Sequence, residues 1–311
     1  MNRNKNSLKY LLFGFLGLLG ILLTWGLIEP YFIDEEHEVA EIPNLPPSWE
    51  GKQIAVIADW QVGMWLDNTA TIDRIVEELI EERPAAVLIA GDFIYNATPN
   101  SDKEIDKVIE LVRPLPAAGI PTYAVLGNHD YALKNKNNPP NQELAAKLAS
   151  ALEGVGVEVL KNDAVALKLP KNGNLAKAGT NQELPLYLVG IGSLWANNAR
   201  PDVALAKVPD GAPRFVMMHH PDVFDEFPPN TAPVAVAGHT HGGQIRIPFT
   251  PTWSWLTFAK EGEVHADGWV VDEYGAPGND LYVNRGIGFS GVPIRINCVP
   301  EVTYFTLQSE V

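Results

Sequence analysis

The chain has 311 residues, 46% of them apolar and 20% charged, the balance of a folded globular protein, which excludes wholesale disorder and collagen-like or coiled-coil fibres. With 23 Lys and Arg against 38 Asp and Glu the net charge is −15, so no nucleic-acid partner is expected, because such binding draws on basic groups at phosphates. The single cysteine, Cys298, excludes an intramolecular disulfide and a cysteine-based zinc cluster.

In chain order, Arg3, Lys5 and Lys9 precede an uncharged apolar run, Leu11–Ile28, which as a helix covers about 27 Å, close to the thickness of a bilayer's hydrocarbon core. Glu29, Asp34, Glu35 and Glu36 follow it. The charge asymmetry predicts a cytoplasmic N-terminus at 1–10, a transmembrane anchor at 11–28 and an exported remainder, on the periplasmic or extracellular side of the cytoplasmic membrane. No small-residue cleavage site follows the run, which favours an uncleaved anchor over a signal peptide. Residues 29–52, acidic and bearing four prolines, read as an extended tether and lead-in strand. Residues 53–311 then form one folded domain.

That domain alternates strands and helices. Ile54–Ala58 is a short continuous apolar run, as in a strand buried on both faces. Ile72, Ile75, Val76, Leu79 and Ile80 lie on one helical stripe closed by Pro84. A second buried strand spans 86–90, and Ser101 with Glu104 opens a helix carrying Ile105, Val108, Ile109 and Val112. Thr122–Leu126 is strand-like, and Leu144, Leu148 and Leu152 mark a further helix. More strands are predicted at 164–169, 185–191, 214–218, 233–237, 244–247, 281–284 and 301–307. The alternation implies an α/β sandwich.

Five of the apolar strands end in groups that bind metals. Ile54–Ala58 delivers Asp59 and Gln61; Val87–Ala90 delivers Asp92 after Gly91; Ala124–Leu126 delivers Asn128, His129 and Asp130 after Gly127. Phe215–Met218 delivers His219 and His220, and Val234–Ala237 delivers His239 and His241 after Gly238. Carboxyl ends of strands in α/β folds gather on one rim, so these residues can meet although they are far apart in sequence. A lone Gly-Asp after a strand is ordinarily a turn. The whole ordered set is not explained by turn chemistry.

The set resembles the calcineurin-like metallophosphoesterases, from about Gln53 to Leu307, and is carried most specifically by Gly127-Asn128-His129-Asp130 and Gly238-His239-Thr240-His241. The stretch 281–289 with Pro293, Arg295 and Pro300-Glu301 is similar to the membrane-anchored bacterial branch of that family. The resemblance implies a four-layer α/β/β/α sandwich preceded by one transmembrane helix, and two divalent metal ions. Asp59, Gln61, Asp92 and His241 would hold one ion and Asp92, Asn128, His219 and His239 the other, with Asp92 shared. His219 is preferred to His220 because His-x-Pro-Asp matches the family spacing. One departure stands out: the first motif is usually Asp-x-His, and this chain has Asp59-Trp60-Gln61. A neutral amide oxygen favours manganese over zinc or iron, which stay open as alternatives.

The implied reaction is hydrolysis of a phosphomonoester, phosphodiester or pyrophosphate by a hydroxide shared between the two ions. His129 would protonate the leaving oxygen and Asp130 would orient its ring. Arg246 and Arg285 are candidate phosphate clamps, with Arg295 a third. A lipid-linked substrate, a soluble nucleotide-type diphosphate or diester, and a non-catalytic metal-dependent binding role are the three open readings; no protein partner is inferred. His37 and His265 read as solvent histidines. Trp253, Trp255, Leu256 and Phe258 read as core, or as an apolar wall for a lipid.

Overall fold

In the computed structural model, which describes residues 3–95, 101–167, 169, 184–247, 265–270 and 274–310, the chain opens with α1 (Arg3–Ile28), continuing as a 3-10 turn at Glu29–Tyr31. There follow β1 (Asp34–Ile42), β2 (Gln53–Ile57), α2 (Thr69–Glu82), β3 (Ala86–Ile89), α3 (Ser101–Val112), α4 (Pro114–Ala117), β4 (Thr122–Ala124), α5 (Gln142–Glu153) and β5 (Val157–Val159). The second half contributes β6 (Asp163–Ala166), β7 (Tyr187–Gly190), α6 (Pro201–Leu205), β8 (Arg214–Met217), β9 (Ala235–Ala237), β10 (Gly268–Trp269), β11 (Leu281–Val283) and β12 (Glu301–Ser309).

The strands form two six-stranded sheets, ordered β1-β12-β2-β3-β4-β5 and β10-β11-β9-β8-β7-β6. Alternation along each strand builds three apolar layers. On β2 and β3, Ala55, Ile57, Val87 and Ile89 face helices α2, α3 and α5, while Ile54, Val56 and Leu88 face the other sheet, meeting Phe215, Met217 and Val236. The far side of the second sheet sends Val189, Val216 and Val283 against Phe224, Phe227 and α6. Helices, sheet, sheet and helices are thus stacked in four layers.

Each expected helix is present, and α2 ends where Arg83 turns left-handed before Pro84. Glu104, read as half of a capping box, instead lays its carboxyl against Gly63, at 2.7 Å from where a Cβ would stand. Residues 244–247 form only an isolated bridge, Ile245 to Ile296. Within residues 29–52, read as tether and lead-in strand, β1 runs parallel to β12 over nine pairs, from Asp34–Glu301 to Ile42–Ser309. Its acidic face is half exposed, as befits an edge strand with one buried face. The group Trp253, Trp255, Leu256 and Phe258 lies outside the described residues.

Strands β2, β3 and β4 are mutually parallel, as are β8 and β9. Their carboxyl ends therefore fall on one rim of the sandwich, which is where the sequence gathers its polar residues.

Candidate metal centre

The turns after β2, β3 and β9 are held in an uncommon conformation. Asp59, Gln61, Asp92, His239 and His241 all have positive φ, between 52° and 73°. Such backbone costs roughly 1–3 kcal/mol per non-glycine residue and persists where function over-determines it. Gly127 shows how tight the rim is. A Cβ there would collide with the Asp92 carboxylate and with its backbone nitrogen at 2.7 Å.

Asp92 is the hub. Its Oδ1 accepts from the His129 amide at 2.8 Å, and its Oδ2 accepts from Gln61 Nε2 at 2.9 Å and lies 3.3 Å from His219 Nε2. His219 Nε2 also lies 3.2 Å from Asn128 Oδ1, whose amide is turned that way because Nδ2 donates to the Leu133 carbonyl at 2.7 Å. On the other side, His241 Nε2 is 3.7 Å from Asp59 Oδ1 and 3.4 Å from Gln61 Nε2. The backbone amide of His239 donates to Asp59, and its ring stands 5.1 Å from that of His219. Ligand atoms of Asp59, Asp92 and His241 fall within 4.8 Å of one another, as do those of His219, His220 and His239.

These residues fit divalent cations. His219 Nδ1 is 2.7 Å from the Ala90 carbonyl, which can only accept; Nδ1 therefore keeps its proton, and Nε2, facing Asp92, is the nitrogen that would give up its proton to a cation. Gln61 Oε1 is buried with no hydrogen-bond partner. A half-turn of that amide would bring the oxygen to the position between Asp92 and His241, the orientation a cation selects. Burial pushes the Asp59 carboxyl up to about 7, with Asp92 adding to the effect. Burial alone would depress His219, yet the charge of Asp92 holds it up at about 9. Burial and the nearby Arg295 push His241 down to about 3, so it stands neutral and ready to bind. Buried carboxylates this crowded call for positive charge.

His219, not His220, faces Asp92 and Asn128. His220 packs at a tilt against the His239 ring, 4.4 Å away, and against that of Trp195, 5.6 Å away.

Three expected roles are corrected. Asp130 does not orient His129; its carboxylate accepts four backbone amides, from Asp92 (2.9 Å), Gly127 (2.8 Å), Phe93 (2.9 Å) and Ile94 (3.2 Å), and so welds two ligand turns together. The His129 ring is held instead by the Tyr95 carbonyl, 2.7 Å from Nδ1, and by stacking on the Tyr95 ring at 5.1 Å. Arg246 and Arg285 are not free to clamp phosphate: Arg246 pairs with Asp267, and Arg285 with Asp34, Glu36, Asp267 and Glu301. Arg295 is fully buried and donates to the carbonyls of Arg285, Gly286 and Gly288. It clips the loop whose Gly288 amide donates to the Asp59 carbonyl at 2.7 Å. His265, expected in solvent, packs on the Tyr274 ring, 3.9 Å away, while His37 is exposed as expected.

A cleft of about 490 Å³ opens over the centre, lined by Asp92, Asn128, His129, His239 and His241. Trp195, Ile245 and Val292 supply apolar walls, and Lys134 supplies a cation. The Lys134 ammonium sits 5.2 Å above the Tyr95 ring, the same ring that stacks on His129. Sequence reasoning missed Tyr95, Lys134 and Trp195. Only their nearness to the glycine-flanked motifs hinted at them.

Comparison with known proteins agrees with this geometry. The chain is 24% identical over 285 residues to the uncharacterized metallophosphoesterase YkuE of Bacillus subtilis, covering 91% of this chain and 88% of that one. It is 30% identical over 229 residues to the phosphodiesterase YaeI of Escherichia coli, covering 73% and 72%. With the UDP-2,3-diacylglucosamine pyrophosphatase LpxG of Chlamydia muridarum it shares 23% identity over 309 residues, covering 90% and 92%. The family profile of calcineurin-like phosphoesterases matches residues 52–243, the stretch holding Asp59, Gln61, Asp92, Asn128, His219, His239 and His241. The chain therefore belongs to the calcineurin-like phosphoesterases, and is a hydrolase acting on phosphoric ester bonds.

Proposed function

We propose that the centre binds two divalent cations and hydrolyses a phosphate ester or pyrophosphate carried by a lipid, on the outer side of the cytoplasmic membrane. The observation that carries this reading is the convergence of ligand side chains from five strand ends on the buried Asp92. Asp59, Gln61, Asp92 and His241 would hold one cation, and Asp92, Asn128, His219 and His239 the other. Bound there, such ions supply charge neutralisation of phosphoryl oxygens and acidify water towards neutrality. A donor set of carboxylates, amides and imidazoles without thiolate suits manganese first, then iron or zinc.

The chain's own residues do the rest. With Nδ1 committed to the Tyr95 carbonyl, His129 turns its Nε2 to the cleft and, when charged, can give a proton to the leaving oxygen. Lys134 contacts a phosphate oxygen from its seat over Tyr95. Trp195, Ile245 and Val292 face the apolar part of the substrate.

Two observations support the membrane and lipid parts. Residues 8–31 form one helix long and apolar enough to cross a bilayer. Its last turn is hydrogen-bonded into the domain through Gly26 and Glu29, contacts that removal of the helix as a signal peptide would strip away. The name of the Chlamydia relative, a pyrophosphatase of a diacylated sugar nucleotide, points to the same substrate class.

The test uses the full chain in detergent, stripped with a chelator and titrated with manganese, with a generic nitrophenyl phosphodiester in solution and a lipid phosphodiester in micelles. Manganese should restore hydrolysis, and the micellar ester should be preferred. Asp92→Asn should lower the rate by at least about 100-fold together with metal content, because it removes the shared ligand. Two metals per chain retained in Asp92→Asn would refute the sharing. Preference for the soluble diester would favour a nucleotide-type substrate, and metal binding without hydrolysis would leave a binding protein.

A further inference from the structure

The apolar helix is not joined to the domain by a flexible segment. Its last turn and the residues after it are gripped from two sides. On one side the Gly26 carbonyl accepts from the Arg295 amide at 2.9 Å, and Ile294 and Ile296 press so close that a Cβ on Gly26 would lie 3.1–3.2 Å from them. Glu29, only 1% exposed, accepts from the Asn297 amide at 2.9 Å, from the Cys298 amide and from the Trp25 indole. On the other side the Pro30 carbonyl accepts from Asn68 at 2.9 Å and from Thr71 at 3.0 Å, and the Tyr31 carbonyl from Arg74 at 2.7 Å.

The same grip reaches the cleft. Ile296 bridges to Gln244 and Arg246, each bond 2.9 Å. The Gln244 side chain pins Ser290 and Val292, each at 2.8 Å. Gln244, Ile245, Ser290 and Val292 line the cleft. Only two hydrogen-bonded segments separate the end of the helix from the cleft wall, about 10 Å at ordinary strand spacing.

Around this exit point large apolar side chains stand in the open. Trp65 is 72% and Leu66 45% exposed, two to three residues from Asn68; Ile247 is 49% and Val292 47% exposed beside the bridge; Tyr31 and Phe32 are 49% and 46% exposed at the helix end itself. Scattered exposed apolar residues mean little, but a collar of them around an apolar helix does. Aromatic residues at this level match the belt that membrane proteins place at the lipid–water boundary.

We propose that this collar is a membrane-docking surface: the latched helix is a rigid mount that seats Trp65, Leu66, Ile247 and Val292 on the bilayer and holds the rim of the cleft at the lipid surface. The inference rests on the anchored phosphoesterase reading above. The occupant is the bilayer because the collar hangs on the end of the apolar helix: Asn68, two to three residues from Leu66 and Trp65, donates to the Pro30 carbonyl, and Ile296, bonded to Gln244 and Arg246, packs on Gly26. The acidic groups beside it are held by partners: Asp34 and Glu36 pair with Arg285, and Asp67, next to Leu66, accepts from the Thr69 amide and hydroxyl.

The experiment puts the full chain in lipid nanodiscs with a fluorophore on Trp65→Cys, Ile247→Cys or, as control, Glu158→Cys. Glu158 is exposed on β5, the sheet edge opposite β1, about 24 Å away at 4.8 Å per strand. The native Cys298 is buried and takes no label. With lipids carrying a spin label near the headgroup, probes at 65 and 247 should be quenched several-fold more than the probe at 158. Gly26→Leu, which crowds Ile294 and Ile296, should bring the three closer together. Equal quenching at all three sites in a chain that stays in the disc and hydrolyses diester would overturn the docking surface and leave the enzyme reading standing. An unchanged pattern in Gly26→Leu would overturn the mount. Release of the parent chain from membranes by alkaline carbonate, or absence of any hydrolysis, would instead count against the reading on which the inference rests.

Discussion

Replacing Asp130 by Asn tests whether that residue is a weld or a participant in catalysis. Its two carboxylate oxygens accept four backbone amides, those of Asp92, Phe93, Ile94 and Gly127. Asn keeps one oxygen and so at most two of these bonds, and turns an NH2 group against the remaining amides. An unsatisfied buried donor costs about 1–3 kcal/mol, so the two lost bonds amount to about 2–6 kcal/mol. At roughly 2–4 °C per kcal/mol for a large domain, the midpoint of thermal unfolding should fall by on the order of 10 °C. Tryptophan fluorescence of the metal-free chain in nanodiscs reads this directly. Manganese retention should weaken too, because the Asp92 turn is one of the two that Asp130 joins. A variant with the parent's midpoint and metal content, but a lower rate, would refute the weld and return Asp130 to a role beside His129.

Four further outcomes follow from the same geometry. Asp59 belongs to one cation site and His219 to the other, so metal entry displaces one proton at each; the half-saturating manganese concentration should fall roughly tenfold per pH unit below about 7 at the first site and below about 9 at the second, each then levelling off, as equilibrium dialysis would show. The sign for the metal-free fold is the reverse: a raised histidine stabilises at low pH and loses that contribution as pH rises through about 9, so unfolding should become easier there. Lys134→Met should raise KM for a phosphodiester about fivefold with kcat little changed, the effect of one partly solvated charge-assisted contact of about 1 kcal/mol; an unaltered KM would remove Lys134 from the substrate site. Gln61→His should move the activation optimum from manganese towards zinc or iron, since imidazole is the softer donor, and identical activation curves for the two proteins would make Gln61 a bystander.

The sequence reveals most where function is carried by local grammar. A buried apolar run followed by a glycine and a carboxylate or imidazole announces a strand end, and the side chains of Asp59, Asp92, Asn128, His219 and His241 do meet. What it conceals is set by distant partners. Arg285 looks like a free cation until folding sets Asp34 and Glu36, some 250 residues away, against it. Asp130 stands beside His129 in the chain, yet three of its four amides come from a turn 36–38 residues earlier. The run from Asp34 to Glu38 is almost entirely charged and reads as tether and lead-in strand, but nothing local says that β12 will lie alongside.

That pairing shapes how the molecule can be made. β12, the last element of the chain, lies between β1 and β2, parallel to one and antiparallel to the other. The first sheet thus stays open until the final residues arrive, with two strand edges already made and waiting. Closure joins segments about 270 residues apart. Contacts so distant in sequence form slowly and only after full emergence. Loss of even β12 would therefore leave more than a shortened chain: it would expose two unpaired edges, those of β1 and β2.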